Sequence, residues 1–183
     1  MMRVKKQDMP QREVQNEGAA DGKATGFLKR IDFLKLFVSL AIPLVVGVAV
    51  GTLVGPATEE VFNSIQQPPL MPPRIVFPIM WLVLYALMGI AFYLVWTADS
   101  DKKRGAFIAY FVQLALNAAW PIVFFLYARF SVAVVIILAL MIAIAVCMEL
   151  FVRVRPLAGK LLVPYLVWTA FATYLNISIA LMN

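Results

Sequence analysis

Three tryptophans and two carboxamides carry the chemistry legible in this chain. Trp81, Tyr85, Met88 and Phe92 recur at i, i+4, i+7 and i+11, as do Gln113, Asn117, Trp120 and Phe124. At that spacing each set shares one face of a helix. A third segment puts Trp168, Ala172, Leu175 and Asn176 on one face. Aromatic pairs contribute about 0.5–1.5 kcal/mol beyond the area they bury. Amides supply the few fixed hydrogen bonds that orient a ligand in an apolar pocket. The pattern therefore suits capture of a flat apolar molecule with a few polar edges.

Other chemistries are poorly served. The chain has no histidine, and so lacks the commonest metal ligand and the commonest general base. That leaves neither a zinc site nor a Ser-His-Asp triad. Cys147 is the single cysteine, so no disulfide forms within one chain. Glu149 has Arg153 as its i+4 partner and is expected to pair with it rather than relay protons.

The elements that position these residues cross a membrane. Hydrophobic residues make up 63% of the 183 and charged residues 14%, against roughly half and a quarter in soluble domains. Apolar runs over about 36–54, 76–97, 106–127, 132–151 and 160–182 are long enough to span a bilayer. The expected fold is all-α, an integral membrane bundle of five helices over 36–183. Residues 1–35 are polar, of mixed charge and short of large apolar side chains, the composition of a disordered tail.

Gln113 and Asn117 must face the bundle interior, because hydrocarbon cannot satisfy an amide. Gly47, Gly51 and Gly55 repeat every four residues, a stripe that lets another backbone approach and that could seam a homodimer. Residues 55–75, with Pro68, Pro69, Pro72 and Pro73, read as an ordered connection of about 20 residues folded over one mouth of the bundle. Trp96 and Tyr165 read as bundle packing or an interfacial belt. Thr169 and Thr173 are expected to bond to backbone or to a neighbouring helix, and Asn176 serves either the pocket or a helix contact.

The net charge of +6 speaks of topology rather than nucleic acid. Fourteen of the 16 Lys/Arg fall in the tail, the second loop and the fourth loop; only Arg74 and Arg129 fall on the opposite side. The positive-inside rule then places the N-terminus inside and the C-terminus and Pro-rich loop outside. A prokaryotic plasma membrane suits this best, with the mitochondrial outer membrane as the alternative.

Several segments resemble the TspO/MBR family of tryptophan-rich sensory proteins and translocator proteins. They are Gln67-Pro68-Pro69-Leu70-Met71-Pro72-Pro73-Arg74, then Pro78 to Tyr85 with Gly89 and Trp96, then Gln113 to Trp120 leading into Phe124-Phe125. Pro164 to Trp168, Phe171-Ala172-Thr173 and Leu175-Asn176 complete the set. The resemblance implies a five-helix bundle, often dimeric, whose first long loop closes a pocket for porphyrins, haem-like tetrapyrroles, sterols or synthetic aromatics. By it, Trp81 and Trp168 match pocket tryptophans linked to porphyrin binding and breakdown. Asn117, Ala118, Trp120, Phe124, Ala172 and Leu175 match other lining positions, and Pro72 with its neighbours matches the lid. Leu70 stands where the family's lid carries Trp, and Ala118 where some members carry a second Trp.

Three functions follow as expectations. The first is a receptor or sensor for porphyrin-like ligands, tied to tetrapyrrole metabolism or stress. The second is a transporter of porphyrins or sterols. The third is a light- or oxygen-dependent porphyrin-degrading enzyme, whose chemistry would run through Trp81 and Trp168, since no acid–base pair accompanies them. No cofactor is required; a porphyrin or haem-like molecule enters as ligand, and the bilayer is the other partner.

Overall fold

The structure is a computed structural model and describes residues 31–183. Most of the tail expected over 1–35 therefore lies outside the described residues. These are all-helical. Helix α1 covers Phe33–Ser64, α2 Val76–Trp96 and α3 Lys103–Pro121, which runs on into a π-helical turn, Ile122–Leu126. Helix α4 covers Phe130–Val154, α5 is the short Pro156–Lys160, and α6 covers Val163–Met182. Five stretches are long and apolar enough to cross a membrane: α1, α2, α3 with its π turn, α4, and α5 with α6.

Helices suit this setting because each satisfies its own backbone where no water is at hand. Their outer faces are apolar: Val48, Leu82, Ile108, Val135, Ile142 and Val167 are all exposed. Threonines on α6 bond within their own helix, Thr169 to the Tyr165 carbonyl and Thr173 to the Thr169 carbonyl, each at 2.8 Å. Glu149 and Arg153 form the expected exposed ion pair at 3.0 Å.

The first connection differs from expectation. Helix α1 does not end near residue 54; it runs 32 residues, through Pro43 and Pro56, to Ser64. The non-helical segment is only 65–75. The reason is that hydropathy reports the bilayer's hydrocarbon, about 30 Å thick, whereas 32 helical residues rise about 48 Å. The final turns, with Thr58, Glu59, Glu60 and Asn63, are polar yet still helical. Pro56 removes one backbone donor, a local loss that the helix absorbs.

The Pro-rich segment and the end of α6 meet at one end of the bundle. The Gln66 amide donates to Asn183 Oδ1 at 2.8 Å, and Asn183 Nδ2 donates back to the Gln66 carbonyl at 3.3 Å. An odd number of spans with Gln66 on the first connection requires this.

Two buried clusters hold the helices. One joins Leu84, Met88, Phe92, Tyr110, Leu140, Ile144, Phe151 and Tyr165, with the Phe92 and Tyr110 rings stacked at 4.5 Å. The other joins Val61, Trp120, Phe124, Ala133, Ile137, Ala172 and Ile179, and Ile65 and Met71 from the Pro-rich segment pack against it. Helix α1 contributes little to either: five of its 32 residues are buried, against seven of 21 in α2. It meets α2 where Gly89 has no side chain, since a Cβ there would lie 2.8 Å from the Ser39 carbonyl oxygen. One further contact sets Gly47 against the Tyr85 ring, which a Cβ would strike.

Candidate functional site

Beyond the Gly47–Tyr85 contact, α1, α2 and α3 enclose a cavity of about 600 Å³. That is within the range of small-molecule sites. Trp81, Tyr85, Asn117 and Trp120 form its inner wall; Phe62, Phe77 and Phe125 line it further out. Trp81 is the hub of the wall, with ring centroids 5.7 Å from Tyr85, 6.4 Å from Trp120 and 6.3 Å from Tyr165. Phe62 bridges to Phe77 and Phe125, each at 5.8 Å.

Hydrogen bonds fix the wall. Tyr85 Oη–H donates to Asn117 Oδ1 at 2.7 Å, Asn117 Nδ2 donates to Tyr165 Oη at 2.9 Å, and Tyr165 Oη–H donates to Gln113 Oε1 at 2.9 Å. All four side chains are buried. This chain links α2, α3 and α6 and fixes the direction of each donor. Both amides thus point inward, as expected, but only Asn117 reaches the cavity. Trp120 is held separately: its indole N–H donates to Asn176 Oδ1 at 2.9 Å, while Asn176 Nδ2 donates to the Phe130 carbonyl at 3.1 Å. Asn176 is thus a helix-to-helix bond that also orients a cavity ring.

The cavity has an open side. Val48, Gly51 and Gly55 on α1, and Pro78 and Leu82 on α2, both line it and are exposed. A Cβ on Gly51 or Gly55 would meet nothing within 4 Å. The glycine stripe is therefore divided: Gly47 seats Tyr85 within the subunit, and Gly51 and Gly55 border the cavity. Among the described residues, the charged ones on the lining are Glu59 and Arg74.

The remaining expected site residues separate into groups. Phe124, Ala172 and Leu175 line a crevice of about 20 Å³ on the other side of Trp120 and Phe125. Ala118 is half-buried and off both. Trp168 stands behind Phe77, ring centroids 5.9 Å apart, and its buried Nε1 has no hydrogen-bond partner. Leu70 is 63% exposed, and it and Pro72 lie off the cavity. Arg74 of the Pro-rich segment does line the cavity, beside Phe62, which the long α1 carries there.

Residues 39–182 match the sequence profile of the TspO/MBR family. The chain belongs to the TspO/MBR family. It is 35% identical over 125 residues to a tryptophan-rich sensory protein of Cereibacter sphaeroides, covering 68% of this chain and 78% of the relative. It is 39% identical over 118 residues to the human translocator protein, covering 63% and 70%. Tryptophan-rich protein TspO of Archaeoglobus fulgidus is 31% identical over 153 residues, covering 84% and 99%. This TspO/MBR chain is thus a multi-pass integral membrane protein.

Several cavity residues escape the helical periodicity of this TspO/MBR chain. Phe125 reaches the cavity because the π turn inserts an extra residue after Trp120; Pro121, which removes a donor there, is the one signal in the sequence. Phe62 and Glu59 lie in the part of α1 whose polar composition resembles a loop. Arg74 lies in a segment where no periodicity applies.

Proposed function

We propose that this protein is a membrane receptor that binds porphyrin-like tetrapyrroles, or related flat apolar molecules, in the cavity between α1, α2 and α3. The observation that carries this reading is the wall of Trp81, Tyr85 and Trp120 around a space of about 600 Å³, with the Asn117 amide fixed beside it. Rings offer stacking surface, and the hydrogen-bonded wall is set before a ligand arrives, which lowers the ordering cost of binding. Phe62 at the end of α1 and Arg74 on the Pro-rich segment both line the cavity, and in this reading the two together close it as a lid. Regulation of tetrapyrrole metabolism or of a stress response is the physiological role this suggests.

A second reading is transport of such ligands, favoured by the open side between α1 and α2 and by the name translocator protein carried by relatives. Degradation of the porphyrin is a third, with Trp81 as the cavity-lining redox candidate. The charge asymmetry supports an N-terminus inside and a prokaryotic plasma membrane.

The deciding experiment titrates purified protein with protoporphyrin IX and follows tryptophan quenching, then illumination. Saturable quenching that weakens in Trp81→Ala is the expected result. Quenching of unchanged affinity in both Trp81→Ala and Trp120→Ala removes the cavity assignment. Passage of porphyrin into sealed proteoliposomes favours transport, and a product spectrum lost in Trp81→Phe favours degradation.

A further inference from the structure

Resting on that reading of the cavity, we infer that Arg74 is a specificity residue: it takes the acid group of a ligand whose apolar body lies against Trp81 and Trp120. The cavity lining is apolar except at a few points, and among the described residues Arg74 is its only basic one. Its guanidinium is held from two sides. Nη2 donates to Asn63 Oδ1 at 2.7 Å, and the guanidinium carbon sits 5.4 Å from the Phe62 ring centroid. A guanidinium has five donors in a planar fork matched to carboxylate, and that one hydrogen bond leaves the others free. Among the described residues, no carboxylate pairs with it. The side chain is thus oriented without being neutralised.

Glu59 lines the same cavity and is likewise in no ion pair among the described residues. A carboxylate there repels a ligand acid while Arg74 attracts it. The two charges therefore set an acid preference of opposite sign, and removing each one moves that preference in opposite directions. A purely structural role for either residue lacks this signature.

The test compares protoporphyrin IX, a dicarboxylic acid, with its dimethyl ester, which keeps the flat body and removes the charge. Affinities are measured in dodecyl maltoside micelles, whose headgroups carry no phosphate to compete for Arg74. Wild-type protein should bind the acid about fivefold more tightly than the ester, a modest ratio because the site is exposed. Arg74→Gln should bring the two affinities together while leaving ester binding intact. Glu59→Gln should widen the ratio, and added salt should shrink it in wild type. Equal binding of acid and ester by wild type, or a ratio unchanged in Arg74→Gln, overturns the inference while leaving the porphyrin reading standing. Loss of ester and acid alike in Arg74→Gln makes the residue structural and also overturns it. Failure of wild type to bind either compound removes the porphyrin reading and this one together.

Discussion

Tyr85 and Asn117 are joined by a 2.7 Å hydrogen bond between buried groups on α2 and α3, and both residues line the cavity. One side of this pair faces the cavity, and the other continues through Tyr165 to Gln113. Tyr85→Phe leaves Asn117 Oδ1 without its donor and should cost about 1–3 kcal/mol. Asn117→Leu removes the shared partner, so the double variant should be more stable than the sum of the single losses implies, with a coupling of about 0.5–3 kcal/mol. Reversible unfolding in micelles reads both. Strict additivity would show that the bond contributes nothing.

The glycine stripe predicts opposite outcomes four residues apart. Gly47→Val drives a side chain into the Tyr85 ring and should lower the melting temperature. Gly51→Phe projects into the open side, where a Cβ meets nothing, so the fold should persist while porphyrin binding falls. Size-exclusion profiles separate this from a dimer seam. If Gly51→Phe leaves affinity unchanged and dissociates a dimer, the stripe serves pairing rather than the cavity.

Asn176 should act on Trp120 from a distance. Replacing it with Leu strips the indole N–H of its acceptor and leaves a buried donor unpaired, at about 1–3 kcal/mol. Trp120 emission should shift, and porphyrin affinity should drop although Asn176 does not line the main cavity. An unchanged spectrum would mean that the ring is held by packing alone.

Trp81 and Trp168 should part company. Trp81 sits in the cavity wall, so Trp81→Ala should cost affinity by about tenfold, the equivalent of one lost stacking contact at the upper end of its range. Trp168 stands behind Phe77 with a buried, unpaired N–H. Trp168→Phe removes that donor and should leave stability equal or slightly higher, with affinity unchanged. A large affinity loss in Trp168→Phe would place the second tryptophan at the ligand after all.

Much of this arrangement was legible before the fold. An amide in hydrocarbon must find a partner, so Gln113 and Asn117 could only point inward, and Trp120 follows from their spacing. What stayed hidden is what another helix decides. Tyr165 reads as packing or belt, and it is packed in the core; its hydrogen bonds to Asn117 and Gln113 are what its own helix does not announce. Helix α1 outruns its apolar stretch because polarity marks where hydrocarbon stops, not where a backbone stops hydrogen-bonding. Phe125 escapes the helical pattern because a single inserted residue breaks the 3.6-residue period on which facing is inferred. Kinship points to Leu70 and Pro72, whereas Phe62 and Arg74 are the residues on the cavity lining.

The sparse burial of α1 bears on which molecules the protein can tell apart. A binding site discriminates size only as well as its walls resist displacement. Tyr85, Asn117 and Trp120 are braced by hydrogen bonds to the rest of the bundle, whereas the α1 wall rests on a handful of buried side chains. Bulk added to a ligand on its α1 side should be tolerated, and bulk added toward Asn117 should not. For a ligand held in this cavity, selectivity should therefore be directional, strict along one axis and permissive along the other.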